Sequence, residues 1–128
     1  MKDINECRER LRGIFNITVT PFTASGAIDF PALRENIERV IDLGYDGLLI
    51  GGTYGEFPVM TVEERRELFH EVMGCVDDRV AVMLCSASSD PRDARELTRL
   101  ASELGGLPMV TAPFVSEITG RTDRQLLQ

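Results

Sequence analysis

Gly47-Leu48-Leu49-Ile50-Gly51-Gly52-Thr53-Tyr54-Gly55-Glu56 is the stretch that decides the reading, and Thr61-Val62-Glu63-Glu64 follows shortly after it. The first four residues form a short apolar run of the kind buried in a sheet. The Thr61 stretch has the pattern of a capping box, with a hydroxyl at the N-cap and an acid three residues on. Between them, glycines let backbone N–H groups converge on an anion. In α/β folds, ligands are held at the carboxyl ends of the strands, where this loop stands.

Working outward, three more β-prone runs occur at residues 14–20, 80–85 and 107–111. Amphipathic helical stretches separate them. The first places Leu33, Ile37, Val40 and Ile41 on one face, with Gly44 after it as a terminating glycine. The second starts at Thr61 and carries Leu68, Phe69, Val72, Met73 and Val76 on one stripe. The third has Asp90 as N-cap and Pro91 at its first position, with Ala94, Leu97, Ala101 and Leu104 inward, and ends at Gly105-Gly106. A short helix is expected near residues 4–11, and a fourth long one near Thr122, with Leu126 and Leu127 as its first buried positions.

The strand runs are continuously apolar rather than alternating, as in parallel strands covered on both faces. A βαβαβαβ chain with right-handed crossovers follows. An open doubly wound sheet and part of a (β/α)8 barrel both accommodate it. The runs begin 33, 33 and 27 residues apart, close to the roughly 31 residues per unit of an eight-unit barrel.

The chain has 128 residues, a formal net charge of −7 and a pI near 4.7. That balance argues against nucleic acid or an anionic membrane as partner, since both select clustered Lys and Arg. Small anionic ligands stay open, because local backbone dipoles decide their binding. Cys7, Cys75 and Cys85 are widely separated and His70 is the sole histidine. No metal-ligand spacing results, and the thiols read as reduced and structural. Residues 1–12 lack the apolar core of a signal peptide, and no run approaches membrane-spanning length. A cytoplasmic protein is expected, with residues 1–12 an extension and 13–128 one domain.

Val19-Thr20-Pro21-Phe22, Gly26-Ala27-Ile28-Asp29, the 51–56 loop with its capping box, and Thr111-Ala112-Pro113-Phe114 occur in a fixed order. Together they resemble the N-terminal half of the dihydrodipicolinate synthase / N-acetylneuraminate lyase family. The resemblance implies about four βα units of a (β/α)8 TIM barrel, usually in a homotetramer, acting as a class I aldolase or lyase. It implies pyruvate or a related 2-keto acid as substrate and no cofactor. In that family a strand-six lysine forms a Schiff base, and the protonated imine is the electron sink for C–C chemistry.

By the same resemblance, Thr53 matches the threonine of the proton relay. The backbone at Thr53 and Tyr54 matches the carboxylate cradle, and Gly52 and Gly55 match its glycines. The strand-five tyrosine and strand-six lysine have no counterparts among the 128 residues, and Lys2, the only lysine, precedes the first strand. Members that use aspartate semialdehyde usually carry threonine where Tyr54 stands and tyrosine where Val115 stands. Both departures point to a different aldehyde or 2-keto acid partner.

Other candidates read as structural. Glu56 is expected to bond loop amides, and Glu63-Glu64 to serve the cap and the helix dipole. His70 is expected on the solvent face of its helix, and residues 92–99 on a solvated face. Two rival readings remain: a non-catalytic half-barrel that binds or assembles, and an open flavodoxin-like sheet. A barrel cut after four units leaves edge strands with unpaired backbone groups, so pairing with a C-terminal half or a second copy is expected.

Overall fold

A computed structural model describes residues 3–111. Its elements are α1 (Ile4–Arg10), β1 (Phe15–Ile17), α2 (Phe30–Asp42), β2 (Gly47–Ile50), a 3-10 turn (Phe57–Val59), α3 (Val62–Val76), β3 (Ala81–Cys85), α4 (Pro91–Glu103) and β4 (Leu107–Met109). The helix expected near Thr122, the Ala112-Pro113-Phe114 segment and Val115 lie outside the described residues.

The four strands are parallel and stand in chain order, β1-β2-β3-β4. That order excludes the flavodoxin-like alternative among the described strands, because a doubly wound sheet reverses strand order at its switch point. Winding continuously in one direction is how a barrel grows.

The two faces of the sheet differ. Leu48, Ile50, Val82 and Leu84 are buried against Leu33 and Ile37 of α2, Leu68, Phe69 and Val72 of α3, and Leu97 and Ala101 of α4. Register places Phe15 beside Gly47, and Ile17, Leu49 and Met83 in one row on the opposite face. A Cβ on Gly47 would fall 2.2 Å from the Phe15 ring, so the ring occupies the space a side chain would need. Towards β1 this second face is the more open one: Ile17 is 45% exposed and Val19 55%, while Leu49 and Met83 are half-buried.

Each helix begins as its sequence dictates. Asp29 accepts the Ala32 N–H at the start of α2 at 3.0 Å. At α3 the capping box is complete: Thr61 Oγ1 accepts from the Glu64 N–H at 3.2 Å while the Glu64 carboxylate accepts from the Thr61 N–H at 2.7 Å. Asp90 caps α4 by accepting the Arg92 N–H at 2.8 Å.

Asp46 ties the lower ends of three strands together. Its carboxylate accepts the Ile14 N–H at 2.7 Å, its own N–H donates to the Ile14 carbonyl, and its carbonyl accepts from the Ala81 N–H. The edge strands are shorter than expected. Past Ile17 only the Thr18 N–H reaches β2, through the Leu49 carbonyl, and β4 ends at Met109 with β3 as its one described neighbour.

Candidate functional site

The carboxyl ends of the strands form a rim, and the 51–56 loop is its most elaborate part. Gly51 leaves β2 with φ of +62°, a left-handed conformation that costs a residue with a Cβ but not glycine. The chain then folds back on itself. The Gly55 and Phe57 N–H groups both donate to the Gly52 carbonyl, at 3.0 and 3.5 Å, and the Glu56 N–H donates to the Thr53 carbonyl at 3.2 Å. The turn is so tight that a Cβ on Gly55 would sit 2.9 Å from the Gly51 Cα and N. Gly52 is nearly as confined, its virtual Cβ falling 3.2 Å from the Leu49 side chain.

These internal bonds use the amides of Gly55, Glu56 and Phe57. The N–H groups of Thr53 and Tyr54 donate to no described residue, and both residues are exposed, Tyr54 at 69%. The structure therefore brings Gly52, Thr53, Tyr54 and Gly55 into one turn with two adjacent donors unused among the described residues and a hydroxyl at its crest. Consecutive free amides of this kind form a concavity suited to an anion.

Two differences from expectation stand out. Glu56 has φ of +59° and makes no side-chain capping bond at the turn that follows it, so the expected bonding to loop amides is not found there. Glu56 is exposed, and the turn continues directly from it into the 3-10 segment. The 3-10 turn Phe57–Val59 itself had no periodic signal. His70 is exposed, as expected for the outer face of α3.

Two residues that sequence reading passed over hold the loop. Thr20, buried at the end of the first strand run, donates its hydroxyl to the Gly55 carbonyl at 2.7 Å. Arg65, in the first turn of α3, is only 4% exposed. It donates from Nη1 to the Ala87 carbonyl at 2.7 Å and from Nη2 to the Cys85 carbonyl at 2.5 Å, and its guanidinium lies 5.2 Å from the centre of the Phe57 ring. Burial pulls its pKa below the ordinary arginine value, opposed by Cys85 and Asp93. Thr20 could have been flagged by its place in the Val19-Thr20-Pro21-Phe22 motif; Arg65 carries no such signal.

A concavity of about 710 Å³ also lies on the outer side, lined by Arg34, His70, Glu71 and Cys75 among others. Arg34 and Glu71 are paired with each other there. It is a groove between helices, remote from the strand ends where this architecture gathers ligands, and the rim is the better candidate. No group of three or more His, Cys, Asp or Glu among the described residues could hold a metal ion. No described helix is long and apolar enough to cross a membrane.

Parallel strands wound in chain order, with helices on one face and a glycine turn at the rim, define a partial (β/α) barrel. The chain belongs to the dihydrodipicolinate synthetase family, whose model matches residues 10–119. It is 41% identical over 103 residues to the 4-hydroxy-tetrahydrodipicolinate synthase of Moorella thermoacetica, a match covering 79% of this chain and 35% of that protein. The corresponding enzyme of Methanothermobacter thermautotrophicus is 34% identical over 109 residues, covering 84% and 38%.

Among solved structures, a prophage protein of the dihydrodipicolinic acid synthase family from E. coli K12, in complex with pyruvate, superposes with a TM-score of 0.84 at 30% identity. The match covers 91% of this chain and 39% of that one. N-acetylneuraminate lyase from Mycoplasma synoviae shares the fold, with a TM-score of 0.84 at 24% identity. The chain thus has the architecture of the N-terminal part of a (β/α)8 barrel and spans roughly a third of the length of the curated relatives it matches.

Proposed function

We propose that this chain is the carboxylate-binding portion of a Schiff-base lyase that acts on pyruvate or a related 2-keto acid. The observation that carries the reading is the pair of amides at Thr53 and Tyr54, which donate to no described residue, on a turn whose Gly55, Glu56 and Phe57 amides are used internally. A keto-acid carboxylate seated there would receive two N–H donors and the Thr53 hydroxyl, and its keto carbon would extend along the barrel axis. Thr53 is assigned to the proton relay as well as to the cradle, and Gly52 and Gly55 to keeping the backbone close to the ligand. The pyruvate complex of the E. coli K12 relative supports the ligand class.

Imine formation requires an amine inside the barrel. Among these 128 residues the only lysine is Lys2, before β1. Residues 1–128 alone are therefore assigned binding without turnover, with the nucleophile and the relay tyrosine supplied by further βα units. The half-buried row of Ile17, Leu49 and Met83 and the edges of β1 and β4, unpaired among the described residues, are the surfaces on which those units, or a second copy, would close the cylinder.

The test is a pyruvate titration followed through the backbone amide resonances. Shifts concentrated at Thr53 and Tyr54, lost in Thr53→Val, are expected. Shifts spread elsewhere, or none at millimolar pyruvate, refute the cradle. Borohydride reduction with pyruvate should label nothing beyond Lys2 and the N-terminal amine; label at an interior residue would overturn the assignment of binding without turnover.

A further inference from the structure

We infer that Arg65 is a positioning residue for the 51–56 loop, setting the height of the carboxylate cradle above the strand ends. The inference rests on the reading of that loop as a cradle, and it begins from an arginine in an electrostatically unfavourable place. Arg65 stands in the first turn of α3, where the helix dipole repels a cation, and it is almost wholly removed from water. Among the described residues no carboxylate pairs with it. Its Nε is buried without a hydrogen-bond partner.

A helix residue kept only for packing would be apolar at this position. The guanidinium instead joins three separate segments. Nη1 and Nη2 close on the Ala87 and Cys85 carbonyls, at and just beyond the end of β3. The guanidinium carbon stands over the Phe57 ring, 5.2 Å from its centre, and Phe57 is the residue whose N–H returns to the Gly52 carbonyl. Arg65 therefore connects the rim of β3 to the last internal bond of the glycine turn. Thr20 holds the same turn from the side of β1, through the Gly55 carbonyl. With one anchor on each neighbouring strand, the free amides of Thr53 and Tyr54 acquire a fixed position.

A planar fork suits this task where an ammonium does not. Guanidinium can serve two carbonyls in its plane while its face contacts a ring; lysine offers one compact point charge. The chemistry assigned to Arg65 is thus geometric, and it touches no ligand.

The deciding experiment compares amide hydrogen exchange in the ligand-free chain with Arg65→Met, Arg65→Lys and Phe57→Leu, followed by pyruvate titration of each. In Arg65→Met the Gly55 and Phe57 amides should exchange about tenfold faster while Val82 and Leu84 in the sheet stay protected. Pyruvate affinity should fall by about the same factor, and Arg65→Lys should recover part of both effects. Uniform acceleration that includes Val82 and Leu84, or no change at the loop, would overturn the inference. Should Arg65→Met not fold, Phe57→Leu keeps both carbonyl bonds and carries the same comparison: loop-selective acceleration is required of it too. If the unmodified chain shows no pyruvate-dependent shift, the cradle reading fails, yet the ligand-free exchange comparison still decides whether Arg65 holds the loop.

Discussion

The hydroxyl of Thr20 donates to the carbonyl of Gly55 across 2.7 Å, joining the end of the first strand run to a residue 35 positions later. Gly55 in turn donates its N–H to Gly52, so this threonine anchors the glycine turn from the side of β1. Thr20→Val keeps the shape but strands a buried carbonyl, at a cost of about 1–3 kcal/mol. Urea unfolding should show that loss, and Thr20→Ser should restore most of it. An unchanged midpoint in Thr20→Val would mean that the bond contributes nothing.

Gly55→Ala tests the tightness of the turn. The new methyl would stand 2.9 Å from backbone atoms of Gly51, which cannot rotate out of the way as a side chain would. Pyruvate-dependent shifts at Thr53 and Tyr54 should disappear, with global stability lowered by about 1–3 kcal/mol. Binding equal to that of the unmodified chain would show that the turn tolerates a displaced backbone.

The carboxyl of Asp90 is held at about 2, below its ordinary 3.8, first by the Arg92 side chain and then by the Arg92 backbone N–H. A depressed pKa means that the charged form favours the folded state. The contribution is complete above about pH 4 and is lost as pH falls through about 2. An NMR titration of Asp90 should therefore give a midpoint near 2, and Arg92→Ala should move it up toward the ordinary value. A midpoint near 4 in the unmodified chain would refute the pairing.

Cys85 is fully buried on β3, and burial raises its thiol pKa. Cys7 and Cys75 are partly exposed. A disulfide-exchange reagent at neutral pH should modify Cys7 and Cys75 in the native chain and reach Cys85 only on unfolding. Stoichiometric early modification of all three would show that the sheet opens readily.

The half-buried row of Ile17, Leu49 and Met83 and the edges of β1 and β4, unpaired among the described residues, predict association. Sedimentation of dilute chain should show species heavier than 14.3 kDa. A stable single species at that mass would mean that the open face is tolerated in water.

The elements were legible where local chemistry dominates. The run Gly47–Ile50 is a strand with the expected limits, and Thr61 opens α3 through the expected capping box. Strand order was not legible in the spacing, since 33 residues suit open and closed sheets alike; the ordered motifs implied a barrel, and the parallel pairing in chain order agrees. The run at 14–20 is only Phe15–Ile17 as a strand, because a sheet edge supplies partners on one side alone. At the candidate site the glycines announced the turn, but its anchors did not announce themselves. Arg65 sits in the charged stretch 63–67 with no motif to single it out, and the Cys85 and Ala87 carbonyls from β3 meet it in the interior.

Asp46 gives the molecule a common baseline. Its three bonds level the lower tips of the first three strands, and each strand residue adds roughly 3.3 Å of climb from there. A slip of one residue at that foot would turn every side chain to the wrong face and lift or sink the Thr53 crest by a full step. The precision of the ligand end is thus surveyed from the opposite end of the sheet, by a carboxylate that no ligand meets.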